Sequence, residues 1–491
     1  MSNVTRKFAD FTTSLRFEDL PADVVHEAKR MILDVIGCGL GGINHEIGRI
    51  ALEYVNEMRG AAEATVIGTG RKLPRLNAVY ANSRIANALD MDDTYLGSGH
   101  FANGAVAASL ALCEHGGGSG KDFITSFVAG YEIAGVVAAA LVCQDIHPTG
   151  SATVVEDGKR RYAKWFSPAA LVAASSAGSS IKGLGLDAER AYHALCITGG
   201  NTPIGTIRKW TETAKPLPTF KYCDTGWCAQ IGLSAALLAQ KGSTGLEDMY
   251  DGDMGVLAGL GVSPDFLDFS SIANELGKTW HLMKTSYKGW PSCRGTHSAL
   301  TAFTKIFEDN KLKAEEIERV TIRGHASVAS PRFAAQDPIG PVSSEFSNPH
   351  NVAMVSLRVG RADWHTPQTV SDKRVQELRR RVFVEIETDA ERQDAEKNQL
   401  HKGMYIPPTV EVRARGQVYR GSALYAWGDP APESRFTDDD IRAKFRDLAL
   451  SVNPGSVSWG GRVERLIETV ENLESLKNLN PLTMLLSPSQ A

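Results

Sequence analysis

Apolar residues over roughly the first 280 positions recur at intervals of three and four. After Pro21, the residues Val24, Val25, Ala28, Met31, Ile32 and Val35 form one stripe, which predicts an amphipathic helix. The same period runs through about 74–90, 103–115, 120–142, 168–184, 187–198 and 226–241. Alanine and glycine are so frequent here that these helices are expected to pack closely. Near residue 284 the pattern changes. Glu318–Arg323, Val382–Glu387 and Thr409–Ala414 alternate with period two and predict strands, with helical runs at about 297–308 and 371–381 among them. Helical periodicity returns at 437–450 and 461–476. The predicted fold class is mainly α: a large all-helical domain, residues 1–283 and 426–491, with a smaller α+β domain, 284–425, inserted before the C-terminal helices. No internal repeat or low-complexity linker interrupts it.

Composition narrows the function classes. A formal charge of −4 gives no reason to expect nucleic acid as a partner, so an anionic ligand needs a local cluster of lysine and arginine. The seven cysteines, at 38, 113, 143, 196, 223, 228 and 293, form no CxxC pair, and reduced thiols are expected. The N-terminal stretch lacks the apolar core of a signal peptide. The most apolar run, Ile133 to Cys143, is about half of a membrane span. A soluble cytoplasmic protein with no membrane partner is expected.

The densest chemistry lies in Ala88-Leu-Asp-Met-Asp-Asp-Thr-Tyr-Leu-Gly-Ser-Gly-His100. Crowding Asp90, Asp92 and Asp93 costs free energy, because like charges raise one another's pKa. Such a block after a helix marks either a site or a strong capping need. Two magnesium motifs share its aspartates. The haloacid-dehalogenase type needs a preceding buried strand, and Asn82–Leu89 is a poor one; the isoprenoid-synthase type needs a second acidic cluster on a facing helix, and none is convincing. Gly116–Asp122 is not a phosphate loop, since the first glycine falls on His115 and the Ser/Thr position is Asp122. It reads as a helix–helix turn ending in an N-cap. Two lysines in apolar or aromatic company, Lys221 and Lys288, fit a cleft that captures carboxylates. Lys288 stands with Arg294 and His297 in Lys-Gly-Trp-Pro-Ser-Cys-Arg-Gly-Thr-His.

These segments, in this order, resemble the MmgE/PrpD family over nearly the whole chain. The resemblance rests on Ala64–Arg71, the Leu-Asp-x-Asp-Asp-Thr block, Gly130-Tyr-Glu132, and Lys221 at its spacing from Ala235–Gln240. It continues through Lys288–His297, Glu345-Phe-Ser-Asn-Pro-His350, Trp427-Gly-Asp-Pro and Asp440–Phe445. It implies a helical domain with a lid domain, a homodimer, an active site between the domains, and no metal or organic cofactor. The implied activity is a lyase, a dehydratase or decarboxylase, acting on a small di- or tricarboxylate through a carbanion or enolate. An epimerase of a small dicarboxylate, or a non-catalytic member, are the alternatives. Carried over by position, His100, Asp90, Lys221 and Lys288 are the implied catalytic residues. Thr94, Asp93, His147, Arg294, His297 and His350 are the implied substrate-binding residues. The chain departs from the family pattern in three places. His100 is followed by Phe-Ala-Asn rather than Pro-Ser, and the family's frequent tyrosine is His350. The second family histidine is either His147 with an insertion at 151–165 after it, or its position is Ser167. Asp157-Gly158 predicts a tight hairpin inside that insertion.

Overall fold

The computed structural model describes residues 3–95, 99–142, 153–156, 159–162, 168–203, 216–252, 254–260, 271, 273–324, 328–388 and 407–488. The periodic runs of the first half become helices that bury one another. With α1 (Val4–Ser14) and α3 (Glu46–Asn56), which lie outside the named runs, they are α2 (Ala22–Gly42), α4 (Arg75–Ala86), α5 (Ala102–Gly116), α6 (Gly120–Val142), α7 (Pro168–Gly183), α8 (Ala188–Asn201) and α9 (Thr225–Gln240). The small residues explain how tightly they meet. A Cβ on Gly42 would lie 2.0 Å from the Ile85 carbonyl oxygen, one on Gly130 2.1 Å from that of Ser175, and one on Gly232 2.3 Å from the Ala177 nitrogen. Backbone at that distance leaves no room for a methyl group.

The apolar stretch of α6 is longer than Ile133–Cys143 alone, because Phe123, Ile124, Phe127 and Val128 extend it toward the N-terminus. Gly120–Leu141 is long and apolar enough to cross a bilayer by length and composition, yet it is wholly buried inside the protein. The turn before it is a cap. Gly117 takes φ +69° at the end of α5, and the Ser119 and Asp122 side chains each accept from the other's backbone N–H, at 3.2 and 2.8 Å.

Short strands punctuate the helices, and among them the sequence pattern predicts only the hairpin flanking Asp157-Gly158. β1 (Ala64–Thr65) pairs with β2 (Lys72–Leu73), and β3 (Thr94–Tyr95) pairs with β6 (Thr285–Ser286) far along the chain. β4 (Thr153–Glu156) and β5 (Lys159–Tyr162) are antiparallel with Glu156 opposite Lys159, the register a two-residue turn requires. Two-residue strands are too short to leave a period in the sequence.

A second core forms in the α+β part. β7 (Ile317–Gly324), β8 (Val382–Ile386), β9 (Thr409–Ala414) and β10 (Gln417–Gly421) make one sheet in the order β10-β9-β7-β8, with only β7 and β8 parallel. α10 (His297–Asp309), α11 (Gly340–Phe346), α12 (Asn348–Ser356) and α13 (Lys373–Arg379) accompany it. Phe303, Phe307, Ile317, Val320, Ile322, Val410 and Val412 fill a core separate from that of the helices. The chain then returns. α14 (Asp438–Leu450) and α15 (Val457–Glu471) put Ile441, Phe445, Trp459, Val463 and Leu466 into the first core. The molecule is mainly α with a small α+β part.

Candidate active site

The crowded aspartates lie in the loop between α4 and α5, and the fold gives each a different partner. α4 stops at Ala86, four residues short of the predicted end, and Asp90 sits at φ +50°. The loop is neither a strand end nor a helix face, so neither magnesium motif applies. Asp93 is the capping group. Its carboxylate accepts from the backbone of Phe101 (3.4 Å) and Ala102 (3.1 Å) at the start of α5, and from the Tyr131 hydroxyl at 3.4 Å. Burial, and the neighbouring Asp92, push its pKa well up. Asp92 accepts from the Asn87 amide at 3.0 and 3.2 Å and from Asn103 at 2.8 Å. Asn103 belongs to the segment that departs from the family pattern.

Asp90 takes an ion pair. Lys288 Nζ donates to its Oδ1 at 2.9 Å and to its backbone carbonyl at 2.7 Å. Burial works to raise the pKa of Asp90, but Lys288, Lys221 and His100 outweigh it and hold the group ionised, below the usual carboxylate range. Donor atoms of Asp90, Asp92 and His100 lie within 4.8 Å of one another, close enough for a cation. The partners speak against one. Lys288 already supplies Asp90 with a positive charge, and two amides donate to Asp92.

His100 has a defined tautomer. Its Nδ1 lies 2.5 Å from the Asp93 carbonyl, which can only accept, so Nδ1 carries the hydrogen. Thr94 Oγ1 is 3.3 Å from the same nitrogen. Nε2 is left with its lone pair, 4.0 Å from Asp90 Oδ1. Burial and the Lys288 charge lower the pKa, so the ring is neutral at pH 7. Tyr222 stacks near it at 6.0 Å and 21°.

Two connections bring the lysines in. The β3–β6 pairing sets Thr94 opposite Ser286 and thereby carries Lys288 to Asp90. Lys221 stands at φ +58° on the turn before α9. Arg84 of α4 pins that turn by donating to the carbonyls of Thr219 (2.6 Å) and Cys223 (3.4 Å). Lys221 Nζ then reaches the Asn87 carbonyl at 3.0 Å and Glu345 Oε2 at 2.8 Å. Both lysines are buried. A third buried lysine, Lys444 of α14, holds the loop from behind through the Met91 carbonyl (2.7 Å) and Asp34 (2.7 Å). Left-handed backbone at a non-glycine residue costs on the order of 1–2 kcal/mol, and the loop's cross-links hold two such residues here.

Asp90, Asp93, Thr94, His100, Lys221 and Lys288 therefore meet in one place. The structure does not bring Arg294, His297 and His350 into it. Arg294 pairs with Asp429 and donates to the Tyr287 carbonyl at 3.3 Å. His297 Nε2 lies 3.1 Å from the Ser292 hydroxyl, behind Lys288, and His350 Nε2 lies 2.7 Å from the Trp364 carbonyl. These three side chains are held by internal structure, and Asp93 by the helix cap. His147 and Ser167 lie outside the described residues. Sequence reasoning missed Asn87, Tyr222, Asp34, Lys444, Glu345 and His45. Only Lys444 and Glu345 had a signal, each lying inside a segment that resembles the family.

Comparison with known proteins gives the family. The MmgE/PrpD N-terminal domain matches residues 6–266 and the MmgE/PrpD C-terminal domain residues 290–469. The chain is 25% identical to the cis-aconitate decarboxylase-like protein oryM of Aspergillus oryzae, over 99% of this chain and 97% of that relative. It is 26% identical to the cis-aconitate decarboxylase of Homo sapiens, over 99% and 95%, and 25% identical to that of Aspergillus terreus, over 99% and 96%. Two domain matches that together span most of the chain, in the same order, assign it: this protein belongs to the MmgE/PrpD family.

Proposed function

We propose that this protein is a lyase that removes CO₂ from a small unsaturated tricarboxylate of the cis-aconitate type. The observation that carries the reading is a pair of buried lysines, Lys221 and Lys288, brought by two different parts of the fold to one ionised aspartate and one neutral histidine. The named activity of the relatives favours decarboxylation over dehydration. Loss of CO₂ leaves an electron pair on carbon, delocalised toward a neighbouring carboxylate. Two ammonium groups in a water-poor site stabilise that charge as it grows, without a metal or organic cofactor. Asp90 holds Lys288 in place. The leaving carboxylate is already ionised at neutral pH; the bare Nε2 of His100 accepts a hydrogen bond from a second, protonated carboxyl of the substrate and orients it, with no net proton transfer.

Released CO₂, followed with cis-aconitate, citrate, 2-methylcitrate and C4 to C6 diacids, tests this. Turnover of cis-aconitate is expected, with losses of at least ~10²-fold in His100→Ala and Lys288→Ala. Wild-type rates in both variants would remove these residues from the mechanism.

One observation favours a second reading. A neutral His100 with a free lone pair is as well suited to taking a proton from carbon, the step an epimerase of a small dicarboxylate needs. It predicts solvent hydrogen entering the substrate with no carboxylate lost.

A further inference from the structure

One buried ionisable group beside the site has no part in the chemistry above. Glu345 lies on α11 of the α+β part and is fully buried, on the far side of Lys221. Its backbone is fixed: the Glu345 carbonyl accepts from Cys293 N (3.1 Å) and from the Asn351 amide (3.3 Å). In the turn before it, Ser344 Oγ lies 2.8 Å from His365 Nδ1, and His365 Nε2 lies 2.5 Å from the Pro291 carbonyl. These bonds hold the backbone from which the buried carboxyl is aimed at Lys221. One oxygen is 2.8 Å from Lys221 Nζ; the other is 3.6 Å from His45 Nε2. His45 accepts from Ile47 N at Nδ1 (3.3 Å), so its hydrogen is on Nε2 and faces the carboxyl. Neither carboxyl oxygen has an aligned hydrogen-bond donor among the described residues. A buried carboxylate left that way is costly, and the protonated acid is the cheaper form.

The charges around it point the same way. Burial pushes the Glu345 pKa up and Asp90 adds to this; Lys221 and Lys288 pull against it, and the group settles at about 8. His45 is neutral, its pKa brought down to about 3 by burial, with Lys221 and Arg84 adding to the effect. His365, the other histidine nearby, is likewise lowered to about 3. At neutral pH, Glu345 is thus a proton-bearing group in contact with a lysine of the site.

We propose that Glu345 is the acid–base partner of Lys221 and restores the proton that Lys221 gives to the substrate carbanion. The proposal rests on the decarboxylase reading. His100 has no hydrogen on Nε2 to give, and Lys288 is tied twice to Asp90, which leaves Lys221 as the donor. The C–C bond to the leaving carboxylate breaks, CO₂ departs and its electron pair stays on carbon. An N–H bond of Lys221 breaks as a C–H bond forms. The Glu345 O–H bond then breaks as the N–H bond of Lys221 reforms, and the Glu345 carboxylate takes its next proton from water. One proton is consumed per CO₂ released. His45 also lines a cavity of about 80 Å³ with Asn44, Pro341, Asp363 and His365. That is room for roughly two waters beside His45, whose Nε2 faces the carboxyl that must be reprotonated.

Glu345→Gln keeps the shape and the neutral charge but removes the transferable proton. Rapid-quench measurement of CO₂ from cis-aconitate should show a first turnover within about threefold of wild type, then steady turnover slowed about 10²-fold. The fall of wild-type kcat as pH rises through about 8 should vanish in this variant. Glu345→Asp, which keeps an acid, should turn over repeatedly and stay ahead of Glu345→Gln. Wild-type steady turnover in Glu345→Gln, loss of its first turnover as well, or an aspartate variant no better than the glutamine one would each overturn the proposal. A wild-type protein that releases no CO₂ would instead sink the decarboxylase reading on which it stands.

Discussion

At the residue scale, the site is a set of buried charges that neutralise one another. Lys288 and Asp90 are both fully buried, so removing one strands the other. Lys288→Met should destabilise the fold by about 3–5 kcal/mol in urea unfolding, and adding Asp90→Asn should recover much of that loss. A cost below about 1 kcal/mol for the single change would mean that the pair is not desolvated as described. Asp90, His100, Lys221 and Lys288 were legible in the sequence because ionisable residues stand out in short blocks of alanine, glycine and aromatics. Their partners were not. Glu345 is 124 positions from Lys221 and Asp34 is 410 from Lys444, and such pairings exist only after folding. Arg294, His297 and His350 show the converse. A charged or imidazole side chain looks the same in sequence whether it faces a cleft or is bonded to Asp429, Ser292 or Trp364.

At the element scale, helix termini and short strands place the catalytic loop. The Asp93 carboxylate caps the start of α5 from the preceding loop, and its carbonyl also orients His100. Asp93→Ala should cost about 1–2 kcal/mol of stability, and activity should fall with it; Asp93→Asn, which can still cap, should keep most of both. An alanine variant as stable as wild type would contradict the capping role. Glu132 of α6 does a similar job for the 281–284 turn, accepting from His281 N (2.8 Å) and Leu282 N (2.9 Å). Burial raises its pKa to about 7. A carboxyl whose folded pKa is raised binds its proton more tightly in the native state. Its stabilising effect is full below the unfolded value near 4.5 and is lost as pH rises through about 7. The stability difference between wild type and Glu132→Gln should therefore shrink from pH 5 to pH 8. A difference that stays constant or grows would contradict it. Most of the long helices and three of the four strands of the larger sheet were readable from their period; β10 was not. α11 and α12 were not, because Ser344, Glu345, Asn348, His350 and Asn351 are buried along with their apolar residues and leave no polar face.

At the scale of the whole molecule, two apolar cores are joined through the site itself. β3–β6, Lys288–Asp90 and Lys221–Glu345 all link the helical part to the α+β part. A polycarboxylate that adds its own bonds to both lysines should tighten that connection. Cis-aconitate should raise the melting temperature and acetate at equal ionic strength should not; equal shifts would indicate a salt effect only. Close helix packing is part of the same design. Gly42→Ala should be strongly destabilising, since its methyl group would meet the Ile85 carbonyl. The alanine and glycine richness made this packing legible, but which glycine faces which backbone was fixed only by the crossings of α2 with α4, α6 with α7, and α7 with α9.

The central claim is that this constellation expels CO₂ rather than merely moving a proton. ¹H NMR of the protein with cis-aconitate in D₂O tests it most directly. The account predicts an unsaturated dicarboxylate product, carrying one deuterium, that appears as the substrate disappears. Deuterium entering a substrate that keeps all three carboxylates would contradict it and favour proton transfer alone.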